Sequence, residues 1–187
     1  MFIKQIGGRN LKLTPKQILN LFFYRKDVFA IQQTNGAYYI VKRPITLTDI
    51  QKHLSGEITI GAYCLNTNNK IKWACVDLDG DEKMPTLLLS EAKTIYGLFT
   101  DYGRILEFSG RKGYHVWILF NKPIYATIAQ HIVKSRLNRL NLLNHEIFPK
   151  QCELNEHRKY GNLVKIPYAT HRVNKKKSTI IKMGGII

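Results

Sequence analysis

The feature that most constrains the fold is the order of elements from Ile71 onward. Apolar β-rich runs and segments with helical spacing predict β-α-β-β-α-β, at 71–78, 85–102, 104–109, 114–120, 124–143 and 145–148. In such a split β-α-β pattern the first and third strands lie side by side, and the last strand lies beside the first. Further strands are predicted at 162–166 and 179–182. The sequence therefore predicts an α+β fold in which the first, third and last strands of the pattern can present residues on one sheet face.

A smaller α/β unit precedes this pattern. Thr14-Pro15-Lys16-Gln17 is typical of a capping box that opens a helix through about Tyr24. Asn35-Gly36 between two apolar runs predicts a hairpin, and a helix is predicted from Thr48, with Gln51 at its capping-box position, to Gly56. A second hairpin is predicted from the runs 58–65 and 71–78.

The length of 187 residues favours one domain. We expect this domain to span 1–187, with an N-terminal α/β subdomain at 1–70 and an RRM-like subdomain at 71–187. The N-terminal residues 1–10 do not resemble a signal peptide, and no apolar run is long enough to span a membrane. A cytoplasmic protein with no membrane partner is therefore expected.

The composition is strongly basic. The chain has 29 Lys and Arg against 13 Asp and Glu, for a formal charge of +16, and residues 94–187 hold 16 of the basic and 5 of the acidic side chains. Such a surface is either a solvated face or a site for a polyanion such as nucleic acid. Cys64, Cys75 and Cys152 form no CxxC pair, so no disulfide scaffold and no zinc site are expected.

The few acids are concentrated at the end of the run 71–78. Asp77, Asp79, Asp81 and Glu82 fall within six positions, and strand alternation places Asp77 and Asp79 on the same face. Two such carboxylates repel each other unless they share a cation, and hard oxygen ligands suit Mg²⁺ or Mn²⁺. The alternative is a simple turn, since Asp and Gly are common where a chain leaves a strand.

A glycine-containing basic loop lies between the strands 104–109 and 114–120. Its two glycines, one of them Gly113, allow backbone N–H groups to approach a phosphate. Ser109, Arg111 and Lys112 add donors and charge, and His115 begins the next strand. The alternative is a basic hairpin tip with a half-buried histidine.

Further candidates lie near the C-terminus. Glu146 is predicted on the last strand of the pattern, as a third acid for a two-metal site or as an exposed strand residue, and His145 then points to the opposite face. The remaining basic candidates are placed by sequence in a strand and the turns after it. Lys165, His171 and Arg172 are candidates for triphosphate or template contacts, and Lys175, Lys176 and Lys177 for nonspecific backbone affinity.

The chain resembles the archaeo-eukaryotic primase superfamily, in particular the primase-polymerase domains of mobile elements and conflict systems, including CRISPR-associated ones. The resemblance covers roughly Arg25 to Arg172, since the upstream segments 25–30, 53–56 and 60–63 also resemble that branch. It rests on the order and spacing of four motifs: Asp77-Leu78-Asp79, Ser109-Gly110 with Gly113-Tyr114-His115, Glu146 with Pro149-Lys150-Gln151, and Gly161-Asn162-Leu163-Val164-Lys165-Ile166-Pro167.

This resemblance implies a nucleotidyltransferase site on an RRM-like sheet packed against an N-terminal α/β unit. By the resemblance, three acids bind Mg²⁺ or Mn²⁺ as a two-metal site: Asp77, Asp79 and Glu146. Ser109, Lys112 and His115 hold the phosphates of the incoming nucleotide, with Lys165 and His171 assisting.

The expected function is a metal-dependent DNA primase-polymerase. Its partners are then a single-stranded DNA template, a primer and NTP or dNTP, with a helicase or another replication or defence protein as a further partner. Two alternatives stay open from the sequence: a noncatalytic RRM-type module that binds single-stranded nucleic acid, and a metal-dependent nuclease.

Overall fold

The computed structural model describes residues 12–80 and 85–185. Asp81 and Glu82 of the acidic run, and the N-terminal residues 1–10, lie outside the described residues. Four helices are present in the described part: α1 (Pro15–Phe22), α2 (Leu47–Ser55), α3 (Pro85–Gly97) and α4 (Ala126–Asn138). Nine strands accompany them: β1 (Phe29–Gln32), β2 (Tyr38–Val41), β3 (Ile60–Tyr63), β4 (Lys70–Leu78), β5 (Gly103–Phe108), β6 (Tyr114–Tyr125), β7 (Glu146–Phe148), β8 (Leu163–Lys165) and β9 (Thr179–Gly184).

The strands form two antiparallel sheets, so the fold is mixed α+β. The larger sheet has the order β7-β4-β6-β5-β9, and the smaller has the order β2-β1-β3-β8. In the larger sheet the first and third strands of the split pattern are neighbours, and the last lies beside the first, which confirms the predicted topology. β9 extends this sheet beside β5.

The larger sheet has different neighbours on its two faces. Trp73 on β4 donates its indole N–H to the carbonyl of Phe22 at 2.9 Å, and the Phe22 ring packs edge-on against Trp117 of β6, so α1 covers this face. On the other face His145 reaches Glu91 of α3 at 3.0 Å. His145 therefore points away from the face of Glu146, as strand alternation predicted.

Local sequence signals explain several element boundaries. The Thr14 and Gln17 capping box that opens α1 is formed as predicted. Helix α2 begins two residues before the predicted start: Thr46 is its N-cap and Asp49, rather than Gln51, completes the capping box. Asp49 also accepts two hydrogen bonds from Arg43 at 2.7 Å, which lower its pKa to about 2. This second partner explains why the earlier cap is favoured.

The predicted second hairpin is wrong. The turn after Asn66 forms, with the Asn66 N–H donating to the carbonyl of Lys70, but the strands on either side of it join different sheets. β3 pairs with β1 and β8, whereas β4 pairs with β6 and β7. The helix predicted from 124 also begins later, because Ile124 pairs with Ile71 as part of a longer β6.

The return of β8 to the smaller sheet shapes the site described below. β8 pairs with β3 through Gly61 and Lys165, Ala62 and Val164, and Tyr63 and Leu163. Residues 163–165 thus lie within the segment 71–187 but belong to the sheet that the N-terminal strands build. Lys165 on this strand is directed toward the loop between β5 and β6 of the other sheet.

Candidate active site

Four polar side chains lie in one row across the larger sheet. Directly paired positions on neighbouring strands bring together Glu146 of β7, Asp77 of β4, His115 of β6 and Glu107 of β5. Directly opposed residues in antiparallel strands project from the same face. The row therefore lies on the face that also carries Trp73 and Trp117, because alternation along β4 and β6 keeps these residues in phase.

His115 links two acids of the row. Its Nδ1 lies 3.0 Å from Oε2 of Glu107, and its Nε2 lies 3.5 Å from Oδ1 of Asp77. Burial opposes protonation of His115, but Glu107 and then Asp77 raise its pKa above the ordinary value. The imidazole thus lies between two carboxylates and is held by the deeper one.

Glu107 is the buried anchor of the row. Its side chain is completely buried, and its Oε2 accepts hydrogen bonds from the Trp117 indole at 2.8 Å and from His115. Burial acts to raise its pKa, but the neighbouring His115 and Lys165 outweigh this and lower it. Ser178 also lies close enough to lower this pKa, although no hydrogen bond joins its hydroxyl to Glu107. Glu107 is therefore stabilised as a carboxylate.

Asp77 carries an electrostatic cost. Burial raises its pKa; His115 opposes this, while Asp79, Glu146 and Glu107 raise it further. Asp79 follows the end of β4 and is exposed. The three acids predicted for the metal therefore lie near one another, and their mutual repulsion is a cost that a cation would offset.

The carboxylates do not form a preassembled metal cage. Within residues 12–80 and 85–185 no group of three or more His, Cys, Asp or Glu side chains is arranged to hold a metal ion. The Glu146 side chain is 58% exposed and its Oε1 accepts a hydrogen bond from Lys150 at 2.7 Å. As a donor set, Asp77, Asp79 and Glu146 offer the hard oxygens that Mg²⁺ and Mn²⁺ prefer. Lys150 occupies Oε1 of Glu146, which leaves Oε2 as its free oxygen for a metal in the described part of the chain.

The predicted phosphate loop lies directly beside the acids. The Gly113 N–H donates to Oγ of Ser109 at 3.3 Å, and the Ser109 N–H donates to the carbonyl of Gly113 at 2.9 Å, which closes the loop. A Cβ at Gly113 would lie 2.4 Å from the carbonyl oxygen of Leu78 and 3.0 Å from Oδ1 of Asp79. Only glycine allows the loop and the acids to approach this closely.

Two elements outside the larger sheet hold this loop. Lys165 of β8 donates to the carbonyl of Ser109, and Asn174 donates to the carbonyl of Gly110 at 3.1 Å. Gly110 has a φ of +87°, and a Cβ there would meet backbone of 176–178. Burial lowers the pKa of Lys165, while Glu107, Asp77 and Asp79 act to raise it. The smaller sheet thus contributes a cation to the site.

The remaining predicted residues lie around this centre. Arg111 is exposed and Lys112 is partly exposed in the loop, and His171 lies close enough to Lys165 and Arg111 that both, after burial, lower its pKa. Arg172 donates to the carbonyls of Gly56 and Glu57, so it binds the end of α2.

The three consecutive lysines that follow are all exposed. Lys177 donates to the carbonyl of Leu54 at 3.0 Å, again at the end of α2. Lys175 and Lys176 are exposed on the adjoining turn. The structure therefore brings Ser109, Gly113, His115 and Lys165 together with the acids, and places Arg172 and Lys177 at the end of a helix.

The sequence interpretation assigned no role to Glu107. The available signal was a lone acid in the apolar strand Gly103–Phe108, two residues before Ser109 and therefore on the same face. A buried acid of this kind needs a partner, and only the strand register identifies it as His115.

The fold is one known from primase-polymerase proteins. The structure matches the archaeo-eukaryotic primase (AEP) domain of the cyanophage S-2L primase-polymerase with a TM-score of 0.57 at 11% identity, covering 93% of this chain and 91% of that one. A second match is the polymerase domain of Mycobacterium tuberculosis ligase D in complex with DNA, with a TM-score of 0.41 at 12% identity, covering 83% of this chain and 67% of that one. The first of these matches shows that the chain has the fold of an archaeo-eukaryotic primase domain.

The family assignment is more specific. The family described as the archaeo-eukaryotic primase domain of the TOTE conflict system matches residues 32–184. The chain belongs to this family, which confirms the superfamily resemblance seen in its motifs. A comparison with curated proteins finds no significant match. No helix in the described part of the chain is long and apolar enough to cross a membrane.

Proposed function

We propose that this domain is a metal-dependent DNA primase-polymerase, which joins a 3′-hydroxyl to the α-phosphate of an incoming NTP or dNTP and releases pyrophosphate. The observation that carries this proposal is the contact between the acids and the phosphate loop. Gly113 brings the loop against Leu78 and Asp79, so a bound triphosphate would lie beside the carboxylates. Family membership supports the nucleotidyltransferase class.

The acids proposed to bind Mg²⁺ or Mn²⁺ are Asp77, Asp79 and Glu146. When bound, the two metal ions would stabilise the attacking and leaving oxygens of the phosphoryl displacement. The chain's own contribution is to hold these carboxylates close together at the end of β4 and on β7. Lys150 forms an ion pair with Oε1 of Glu146 and so offsets part of the negative charge of this cluster.

The loop and its neighbours are proposed to bind the triphosphate. The Ser109 hydroxyl, Lys112, His115 and the loop N–H groups supply donors, with Arg111 and His171 beside them. Glu107 orients His115 through Nδ1, which directs Nε2 toward the side of Asp77. Lys165 adds charge and fixes the loop through the Ser109 carbonyl.

The net positive charge of the chain also supports a nucleic-acid substrate. A formal charge of +16 favours association with a polyanionic strand, and the basic turn with Lys175 and Lys176 adds nonspecific backbone affinity. We propose single-stranded DNA template, primer and nucleotide as the partners of this site.

The test uses the whole chain with a single-stranded template and labelled nucleotides, with and without primer, in Mg²⁺ or Mn²⁺. Extension of the primer supports the polymerase, and product without primer supports the primase. Shortening of the template would establish the nuclease instead, and metal-independent binding with no product would establish the noncatalytic module. The variant Asp77→Asn/Asp79→Asn is the control, since any product it still forms does not come from this site.

A further inference from the structure

A basic surface separate from the phosphate loop lies beside β7, the edge strand of the larger sheet. It is a groove of about 490 Å³ between the end of β3 and the segment 150–162. Its charged lining consists of Lys150, Arg158 and Lys159, with His157 beside them, and no acidic side chain of the described residues lines it. None of the sequence motifs pointed to Arg158 or Lys159.

This groove is built on a buried arginine. The Arg25 side chain is 5% exposed, and its Nη1 donates to the carbonyl of Lys159 at 3.1 Å. Its guanidinium also lies 5.3 Å from the ring centroid of Tyr160, which in turn packs against Tyr63 at 5.7 Å. A buried side chain therefore holds the backbone at Lys159, and Arg158 directly precedes it in the chain.

The groove is continuous with the candidate active site. Lys150 lines the groove and also donates to Glu146, whose backbone pairs with Asp77. In contrast to Lys150, neither Arg158 nor Lys159 forms an ion pair with any acid in the described part of the chain. Cations without an acidic partner suit the phosphates of a single strand, and Tyr63 and Tyr160 also line the groove.

We propose that this groove binds the phosphate backbone of single-stranded nucleic acid adjacent to the acids. The identity of the ligand rests on the proposed function, because the strand held here is the one on which Asp77 and Asp79 act. A phosphate on a free mononucleotide has the same chemistry, so the test separates the two sources.

The test measures fluorescence anisotropy of a labelled oligothymidylate of about 20 nucleotides with EDTA present, so that catalysis plays no part. Arg158→Ala/Lys159→Ala removes two unpaired cations from the groove. Lys93→Ala/Arg139→Ala removes the same charge from exposed positions on and after the helices α3 and α4. A melting temperature equal to that of the parent protein establishes that each variant is folded.

We expect the groove variant to bind about 10- to 30-fold more weakly near 0.1 M salt, and its slope of log K against log salt to fall by about 1.4, for two phosphate contacts on a single strand. The Lys93→Ala/Arg139→Ala variant should retain most of the affinity for the oligothymidylate and most of the slope of log K against log salt. Equal losses in the two variants would overturn the proposal, since they would reflect net charge alone.

Competition identifies the source of the phosphate. Unlabelled oligothymidylate is expected to displace the probe at far lower phosphate concentration than thymidine monophosphate. Displacement by the mononucleotide at the same phosphate concentration would assign the groove to free nucleotides and overturn the single-strand proposal. Because binding is measured without metal, a protein that binds through the groove but transfers no nucleotide would refute the proposed activity and leave the groove standing.

Discussion

Glu107 and His115 form a buried acid–imidazole pair, with Oε2 and Nδ1 3.0 Å apart on neighbouring strands. Glu107 is the deeper partner of this pair, and His115 is the one proposed to contact the nucleotide. The pair connects the Trp117 indole, in the hydrophobic interior, to Asp77 at the candidate site.

Replacement of Glu107 by Gln is expected to destabilise the fold and disturb nucleotide binding. It removes the countercharge of a buried imidazole, and breaking such a pair costs about 3–5 kcal/mol. The melting temperature should fall by roughly 6–20 °C for a chain of this size. The Michaelis constant for nucleotide should rise as well, because His115 loses its orienting partner.

The matched control for Glu107 is Glu57→Gln. Glu57 pairs with Lys52 at 2.9 Å, but both side chains are largely exposed. Such a pair contributes little, so its melting temperature should not change measurably. If Glu107→Gln were as stable as this control and bound nucleotide normally, the anchoring role would be refuted.

Asp77→Asn is expected to abolish nucleotide transfer while preserving the fold. Loss of a metal-binding carboxylate should reduce the rate more than about a hundredfold, since even outer partners of a ligand cost 10- to 100-fold. Burial and neighbouring acids raise the pKa of Asp77, so its charge opposes folding at neutral pH. The variant should therefore melt at an equal or higher temperature. Normal activity, or a large loss of stability, would contradict the assignment.

Two glycines differ in the space available for an added side chain, so their alanine variants form a matched pair. Gly113→Ala places a Cβ 2.4 Å from the Leu78 carbonyl oxygen, so we expect a loss of about 1–3 kcal/mol in the free energy of unfolding. Gly97, at the end of α3, has no atom within 4 Å of an added Cβ, and Gly97→Ala should stabilise by up to about 1 kcal/mol. Urea denaturation measures both, and equal effects would show that the close approach of loop and strand is not required.

His53 should make stability depend on pH. It is buried, donates from Nε2 to the Pro167 carbonyl at 2.9 Å and accepts at Nδ1 from the Ile60 N–H at 3.1 Å. Burial lowers its pKa from 6.5 to about 4. The stability from its neutral form is therefore complete above about pH 6.5 and is lost as the pH falls toward 4, by up to about 1.4 kcal/mol per pH unit.

His53→Gln tests this dependence. The glutamine keeps a donor and an acceptor but does not titrate, so the gap in unfolding free energy between the two proteins should narrow as the pH falls. His157→Gln, at an exposed position, should follow the parent protein throughout. A constant gap between the parent and His53→Gln would indicate that His53 does not titrate in this range.

Local patterns predicted more of this molecule than long-range pairing did. The Thr14 cap, the Asn35-Gly36 turn and the order of the split pattern each depend on neighbours in sequence, and the structure has them. The positions of Asp77 and His115 on adjacent strands followed from that order. Their chemical roles stay predictions.

What the sequence did not predict depends on tertiary partners. The turn after Asn66 looks the same whether β3 and β4 pair or separate, so the assignment of β3 to the smaller sheet required its partners β1 and β8. In the same way, Glu107 became part of the site only through its register with His115.

The return of β8 has a consequence for how this protein can be divided. Lys165 reaches the loop from a strand whose hydrogen-bonding partner, β3, lies in the first third of the chain. A fragment comprising 71–187 would leave that strand unpaired, and would also expose Trp73 and Trp117, which Phe22 covers. We therefore expect the two sheets to fold as one unit, so that a transplant of the candidate centre into another protein must carry both.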